Sequence, residues 1–164
     1  FSGIISKKKS QIILIDDTSR ESYVLIGSNQ TVANYLVKLS TGDYISLDAV
    51  KKPNQQTLTA NSVNYMGLRS LLGIWIGDDS YCYNFISFTE FVVSTHVGGK
   101  LCTAPASPAF TYIINPTSKT WTMLISDEHS SYIGDLKFKN PIDAQIELFN
   151  SETGDTLRSL HLRM

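Results

Sequence analysis

Thr31-Val32-Ala33-Asn34-Tyr35-Leu36-Val37-Lys38-Leu39 is the one stretch of this 164-residue chain that repeats at a helical period. Val32, Tyr35, Leu36 and Leu39 stand at i, i+3, i+4 and i+7, which gathers them on one stripe of an α-helix. Asn29 or Thr31 can cap its start, and Gly42 lies just past its end. On either side the period falls to two. Upstream, Gln11-Ile12-Ile13-Leu14-Ile15 and Tyr23-Val24-Leu25-Ile26 are β-branched and aromatic runs, parted by the turn-forming Asp16-Asp17-Thr18-Ser19-Arg20, and together they predict a hairpin. Downstream, Asp43 to Leu47 and Thr57 to Tyr65 predict two more strands around the turn at Lys51-Lys52-Pro53-Asn54.

The second half carries strand patterns at Gly73–Ile76, Tyr81–Phe85, Phe88–Val93, Phe110–Ile114, Thr120–Ile125, Ala144–Phe149 and Thr156–Leu162. Turn chemistry separates them at Gly77-Asp78-Asp79, Gly98-Gly99, Asn115-Pro116, Asn140-Pro141 and Thr153-Gly154-Asp155. Many short strands with one helix predict a mostly β protein of barrel or sandwich architecture. Leu14, Val24, Leu36, Ile45, Trp75, Phe85, Leu124 and Ile146 each sit mid-element in apolar context and are predicted core residues, with Trp75 and Trp121 the largest pieces of it.

Residues 1–66 run strand, strand, strand, helix, strand, strand, with Ser2–Ser6 the first strand. This order resembles the OB-fold, a five-stranded Greek-key barrel. Leu39-x-x-Gly42-Asp43-Tyr44-Ile45 looks like the turn that leads from the helix into the fourth strand in that family. The resemblance implies that Lys7-Lys8-Lys9, between strands one and two, and Lys51-Lys52, between four and five, flank the ligand face. Those lysines would grip phosphates without reading bases, and Tyr23 and Tyr44 would be stacking platforms if they point outward. Their ordinary alternative is solvated turn lysines and packed strand tyrosines.

Residues 67–164 form the second expected domain, an antiparallel β barrel or sandwich. Leu71-Leu72-Gly73-Ile74-Trp75, followed by an acidic turn and Tyr81-x-Tyr83-x-Phe85, resembles the Gly-x-Trp start of lipocalin-like barrels. That likeness implies that Trp75 plugs a closed end and that the interior takes a small hydrophobic molecule.

Composition excludes some functions and leaves others open. Hydrophobic residues make up 42%, enough for a core, and the formal charge of −1 gives no global attraction for a polyanion. No apolar run approaches the roughly 18 residues of a membrane-spanning helix. The chain opens on Phe1, which reads as a processed or excised piece with any targeting signal out of view, so compartment is not predicted. Cys82 and Cys102 are either two small buried hydrophobes or, in an exported chain, a disulfide, and they lack zinc-site spacing. His96, His129 and His161 are isolated, and Asp127-Glu128-His129 would converge only in a loop. Asp16-Asp17 and Asp78-Asp79 read as turn-formers, and Asn29-Gln30-Thr31 is a glycosylation sequon relevant only to a secreted chain. No catalytic motif is present and no cofactor or metal is expected. The leading expectation is a non-enzymatic binding or adaptor protein that engages single-stranded nucleic acid or a protein partner through the OB-like module. The alternatives are a small hydrophobic ligand carrier and a structural coat or extracellular β protein. Oligomeric state is not predicted.

Overall fold

The computed structural model describes residues 1–95, 102, 109–117 and 120–164, and divides into two compact units, Phe1–Arg69 and Ser70–Met164. The expected Gly98-Gly99 turn and His96 lie outside the described residues. The protein is mostly β with one α-helix among the described residues.

The first unit holds β1 (Ser2–Lys8), β2 (Gln11–Asp16), β3 (Ser22–Gly27), α1 (Gln30–Lys38), β4 (Tyr44–Lys51) and β5 (Thr57–Gly67). β1 pairs with β2, β2 with β3, β5 with β4 and β4 with β1, all antiparallel, while β3 and β5 run parallel, so the five strands close a ring. Its interior is filled by alternate residues of the strands, among them Ile5, Leu14, Leu25, Ile45, Leu47 and Leu58, each buried. α1 begins where Asn29 accepts a hydrogen bond from the Val32 N–H at 3.0 Å, so the asparagine is the N-cap. The helix packs on β3 and β5 through the buried Val32 and Leu36. Gly27 at the end of β3 makes that approach possible, because a side chain there would collide with the Ala33 backbone.

The helix leaves through the Leu39–Asp43 turn. Gly42 takes φ +93°, and Asp43 accepts from the Ser40 and Arg69 backbone N–H groups at 2.7 and 2.9 Å. One buried carboxylate thereby ties the start of β4 to the chain just beyond β5.

The second unit holds β6 (Gly73–Gly77), β7 (Tyr81–Phe85), β8 (Glu90–Thr95), β9 (Phe110–Pro116), β10 (Trp121–Ser126), β11 (Ser131–Asn140), β12 (Asp143–Asn150) and β13 (Thr156–Arg163). Each strand pairs antiparallel with the next, and β13 pairs with β6. Eight strands thus close an up-and-down barrel, which decides between the two architectures expected for this half.

Three sequence expectations need correction. β11 carries no strand prediction, because Gly134 and Asp135 interrupt its alternation. Gly134 in fact points inward, where a Cβ would sit 3.1 Å from Ile146 Cγ2 and 3.4 Å from Met123 Cβ. Leu124 is 42% exposed, because the inward positions of β10 belong to Met123 and Ile125. Val24 and Trp121 are only half-buried, whereas Leu14, Leu36, Ile45, Trp75, Phe85 and Ile146 are buried as expected.

Candidate functional site

In the first unit, the residues expected to form a ligand face do not gather. Lys7 and Lys8 end β1 and Lys9 sits in the following turn. The Lys7 ammonium donates to the Val37 carbonyl at 2.8 Å and its backbone N–H to Thr41 Oγ1 at 3.0 Å, which places this group at the start of β4. Lys51 lies at the opposite end of β4, and Lys52 follows it. The two lysine groups therefore stand at opposite ends of β4.

Lys51 donates to Tyr23 Oη at 3.1 Å and to Glu21 Oε2 at 3.2 Å, and its ammonium lies 4.7 Å from the Tyr23 ring centroid. The Tyr23 hydroxyl donates to Glu21. These contacts hold the Lys51 pKa above its ordinary value, the Tyr23 bond more than the Glu21 bond, and hold Glu21 below its own. Tyr23 is only 3% exposed, with Phe1 edge-on at 5.8 Å, so it offers no face for stacking. Tyr44 is half-buried and stacks on Tyr65 at 5.7 Å. Burial and the neighbouring Tyr44 push the Tyr65 hydroxyl up to about 12.

The second unit holds a cavity of about 280 Å³ that is partly open to solvent. Strand alternation aims side chains of β7 to β13 into it. β7, β8 and β9 supply an aromatic wall of Tyr83, Phe85, Phe91 and Phe110. Within it Phe91 stacks on Phe110 at 5.0 Å and leans on Phe85 at 4.9 Å. β10, β12 and β13 supply the facing aliphatic wall of Met123, Ile125, Ile146, Leu148 and Leu160. Tyr112 is buried beside the aromatic wall, with Phe85 edge-on at 5.4 Å, and spends its hydroxyl on the Ser87 carbonyl at 2.8 Å.

At the end of the barrel formed by the β6–β7 turn, the apolar lining gives way to three polar side chains. Arg158 donates through Nη1 to Asp79 Oδ2 at 2.9 Å and through Nη2 to Tyr83 Oη at 3.1 Å, while Tyr83 donates to Asp79 Oδ2 at 2.7 Å. Burial first, and then the bond to Asp79, raise the Tyr83 pKa, so its proton stays on. A β-bulge aims this arginine. Leu148 pairs with Arg158 and Phe149 with Thr156, leaving Leu157 as the extra residue. Two residues further along the same ladder Ile146 pairs with Leu160, and both line the cavity, so Arg158 continues the inward row of β13. A second depression of about 280 Å³, lined by Tyr81, Tyr83, Val93, Phe110 and Arg158, adjoins the cavity through these shared residues.

Cys82 and Cys102 are joined in a disulfide, the second of the two readings the sequence left open. Asp16 accepts from the Ser19 N–H and hydroxyl, both at 2.8 Å, and Asp127 from the His129 and Ser130 N–H groups at 2.8 and 2.7 Å, so both act as turn-formers. His161 Nε2 lies 2.6 Å from Lys139 Nζ. Among the described residues no group of three or more His, Cys, Asp or Glu side chains is placed to hold a metal, and no helix is long and apolar enough to cross a membrane.

Most of the barrel strands are legible in the sequence, but the polar group at the cavity is not. Tyr81-x-Tyr83-x-Phe85 reads as a strand of a barrel's first hairpin, and this strand brings Tyr83 and Phe85 to the cavity. Arg158 left no signal, because a charged residue near the start of an edge-like strand reads as solvated. Comparison of the chain with protein-family models, with curated proteins and with solved structures finds no match.

Proposed function

We propose that the second unit is a carrier barrel that holds one small apolar molecule in its interior. The observation that carries this reading is the cavity of about 280 Å³ between an aromatic and an aliphatic wall. Apolar cavities of about 150 Å³ already stay dry and take up apolar guests. The partly open mouth of this cavity gives such a guest a way in. The lipocalin-like reading draws support from Trp75, which is fully buried on the first barrel strand, packs on Phe138 and donates to the Leu71 carbonyl at 2.8 Å. Titration with a fluorescent fatty-acid probe is expected to saturate at one probe per chain, with displacement by unlabelled apolar competitors. Val93→Trp at the shared rim should weaken binding about tenfold or more, equivalent to about 1.4 kcal/mol. Binding that never saturates, or that ignores Val93→Trp, removes the carrier reading.

A second reading concerns the first unit. Its ring order β1-β2-β3-β5-β4, with α1 between β3 and β4, is the connectivity that supports an OB-like module and hence a nucleic-acid or protein partner. Lys8, Lys9 and Lys52 are exposed, while Lys7 and Lys51 hold intramolecular partners. Three phosphate contacts would give a log–log salt slope of about −2 on a single strand. A wild-type chain that leaves short single-stranded DNA and RNA unbound at low salt removes the nucleic-acid form of this reading.

A further inference from the structure

Arg158 is the one charged side chain among the described residues that line the cavity. It stands in register with Leu148, whose side chain lines the aliphatic wall, and the bulge at Leu157 turns the strand there. Its guanidinium has five N–H donors. Asp79 takes one of them and the Tyr83 hydroxyl takes another, both on the terminal nitrogens. Three donors are left, and the side chain is 48% exposed. Asp79 engages Arg158 through a single oxygen, and that carboxylate has its own further supports in the Tyr83 hydroxyl at 2.7 Å and the Tyr81 N–H at 3.2 Å. The guanidinium fork is therefore unsaturated, and its carboxylate neighbour does not depend on it alone.

We infer that the molecule held by the barrel is an amphiphile with an anionic head, a carboxylate in the simplest case, whose oxygens bind Arg158 while its apolar tail fills the cavity. This rests on the carrier reading and specifies its ligand class. A carboxylate offers only acceptors and matches a guanidinium fork with charge-assisted hydrogen bonds about twice as strong as neutral ones. An alcohol head can accept from the same donors but gains no charge term. An ammonium head meets the guanidinium as a like charge. Asp79 acts in the opposite sense: it partly neutralises Arg158 and so sets the affinity for an anion below what an unpaired arginine would give. Tyr83 keeps both side chains in place, since its hydroxyl accepts from one and donates to the other.

The test uses the full chain with decanoate, decanol and decylammonium as competitors for a fluorescent apolar probe. In the wild type, decanoate is expected to bind about tenfold or more tightly than decanol, the scale of one hydrogen bond to a charged group, and decylammonium more weakly than both. Arg158→Gln should bring decanoate down to the level of decanol and leave decanol where it was. Asp79→Asn should tighten decanoate and leave decanol unchanged, a gain of function that a misfolded variant cannot mimic. Equal binding of decanoate and decanol by the wild type overturns the anionic-head inference while leaving the carrier reading in place. A decanoate preference that survives Arg158→Gln overturns it as well. If none of the three displaces the probe, or the probe itself does not bind, the inference falls together with the carrier reading.

Discussion

Asp16 and Asp43 are both buried carboxylates that accept backbone N–H bonds, yet burial and hydrogen bonding shift them in opposite directions. The Ser19 N–H is the largest influence on Asp16 and holds its pKa below 3.8. Burial is the largest influence on Asp43 and raises its pKa above 3.8, against the Ser40 and Arg69 N–H bonds. For Asp16 the folded value is depressed, so its stabilisation is present above the unfolded pKa and is lost as pH falls through the folded one. For Asp43 the folded value is raised, so the stabilisation belongs to the protonated form, is complete below the unfolded pKa and is lost as pH rises through the folded one. Carboxyl NMR titration should place the Asp43 midpoint above that of Asp16; the reverse order would refute this account of the two turns. Asp16→Ala should lower stability by about 1–3 kcal/mol at neutral pH through its lost hydrogen bonds, and the deficit should shrink below pH about 4 as the wild-type carboxylate protonates. The two tryptophans separate on the same scale. Trp75 is fully buried and Trp121 half-buried, so Trp75→Ala should cost about 3–5 kcal/mol. Trp121→Ala should cost clearly less, and denaturant titration of the two variants compares them directly. Sequence context does not separate them: Trp121 shares the inward row of β10 with Met123 and Ile125, but it is the first residue of that strand, where it stays half-buried.

At the scale of elements, helix and strands were legible to different degrees for physical reasons. α1 was readable because its stripe, its Asn29 cap and its Gly42 exit all point to one answer. Most barrel strands were readable from alternation bounded by turn residues. β11 was hidden because its interior positions include a glycine, and Gly134 contributes room rather than hydrophobicity to the barrel wall. Leu124 misled for the converse reason: β10 carries apolar residues on both faces, and composition alone does not say which row is inside. The Cys82–Cys102 bond closes a loop across a sequence separation of 20. The chain-entropy account then gives about 3 kcal/mol of stabilisation. Replacing both cysteines by serine should therefore lower the barrel's unfolding free energy in denaturant titration by about that amount, and an unchanged free energy would show that the bond contributes nothing to the fold.

At the scale of the molecule, charge and apolar volume argue for different activities in the two units. The lysine clusters were legible in the sequence, but their separation along β4 and the partners of Lys7 and Lys51 depend on strand register, which no local pattern encodes. The cavity is not legible in the strands, because a hollow barrel and a filled one share them. Its polar end was not legible, since Asp79 and Tyr83 are far from Arg158 in the chain and meet it only when β13 closes on β6. The central claim is that the barrel interior is the ligand site, and the methionines report on it directly. Of the three, Met123 lines the cavity, Met66 is buried in the first unit and Met164 is half exposed at the chain end. With isotope-labelled methionine methyls, a saturating apolar ligand is expected to shift the Met123 resonance and leave Met66 where it was. A ligand that binds saturably while Met123 stays in place would contradict the claim.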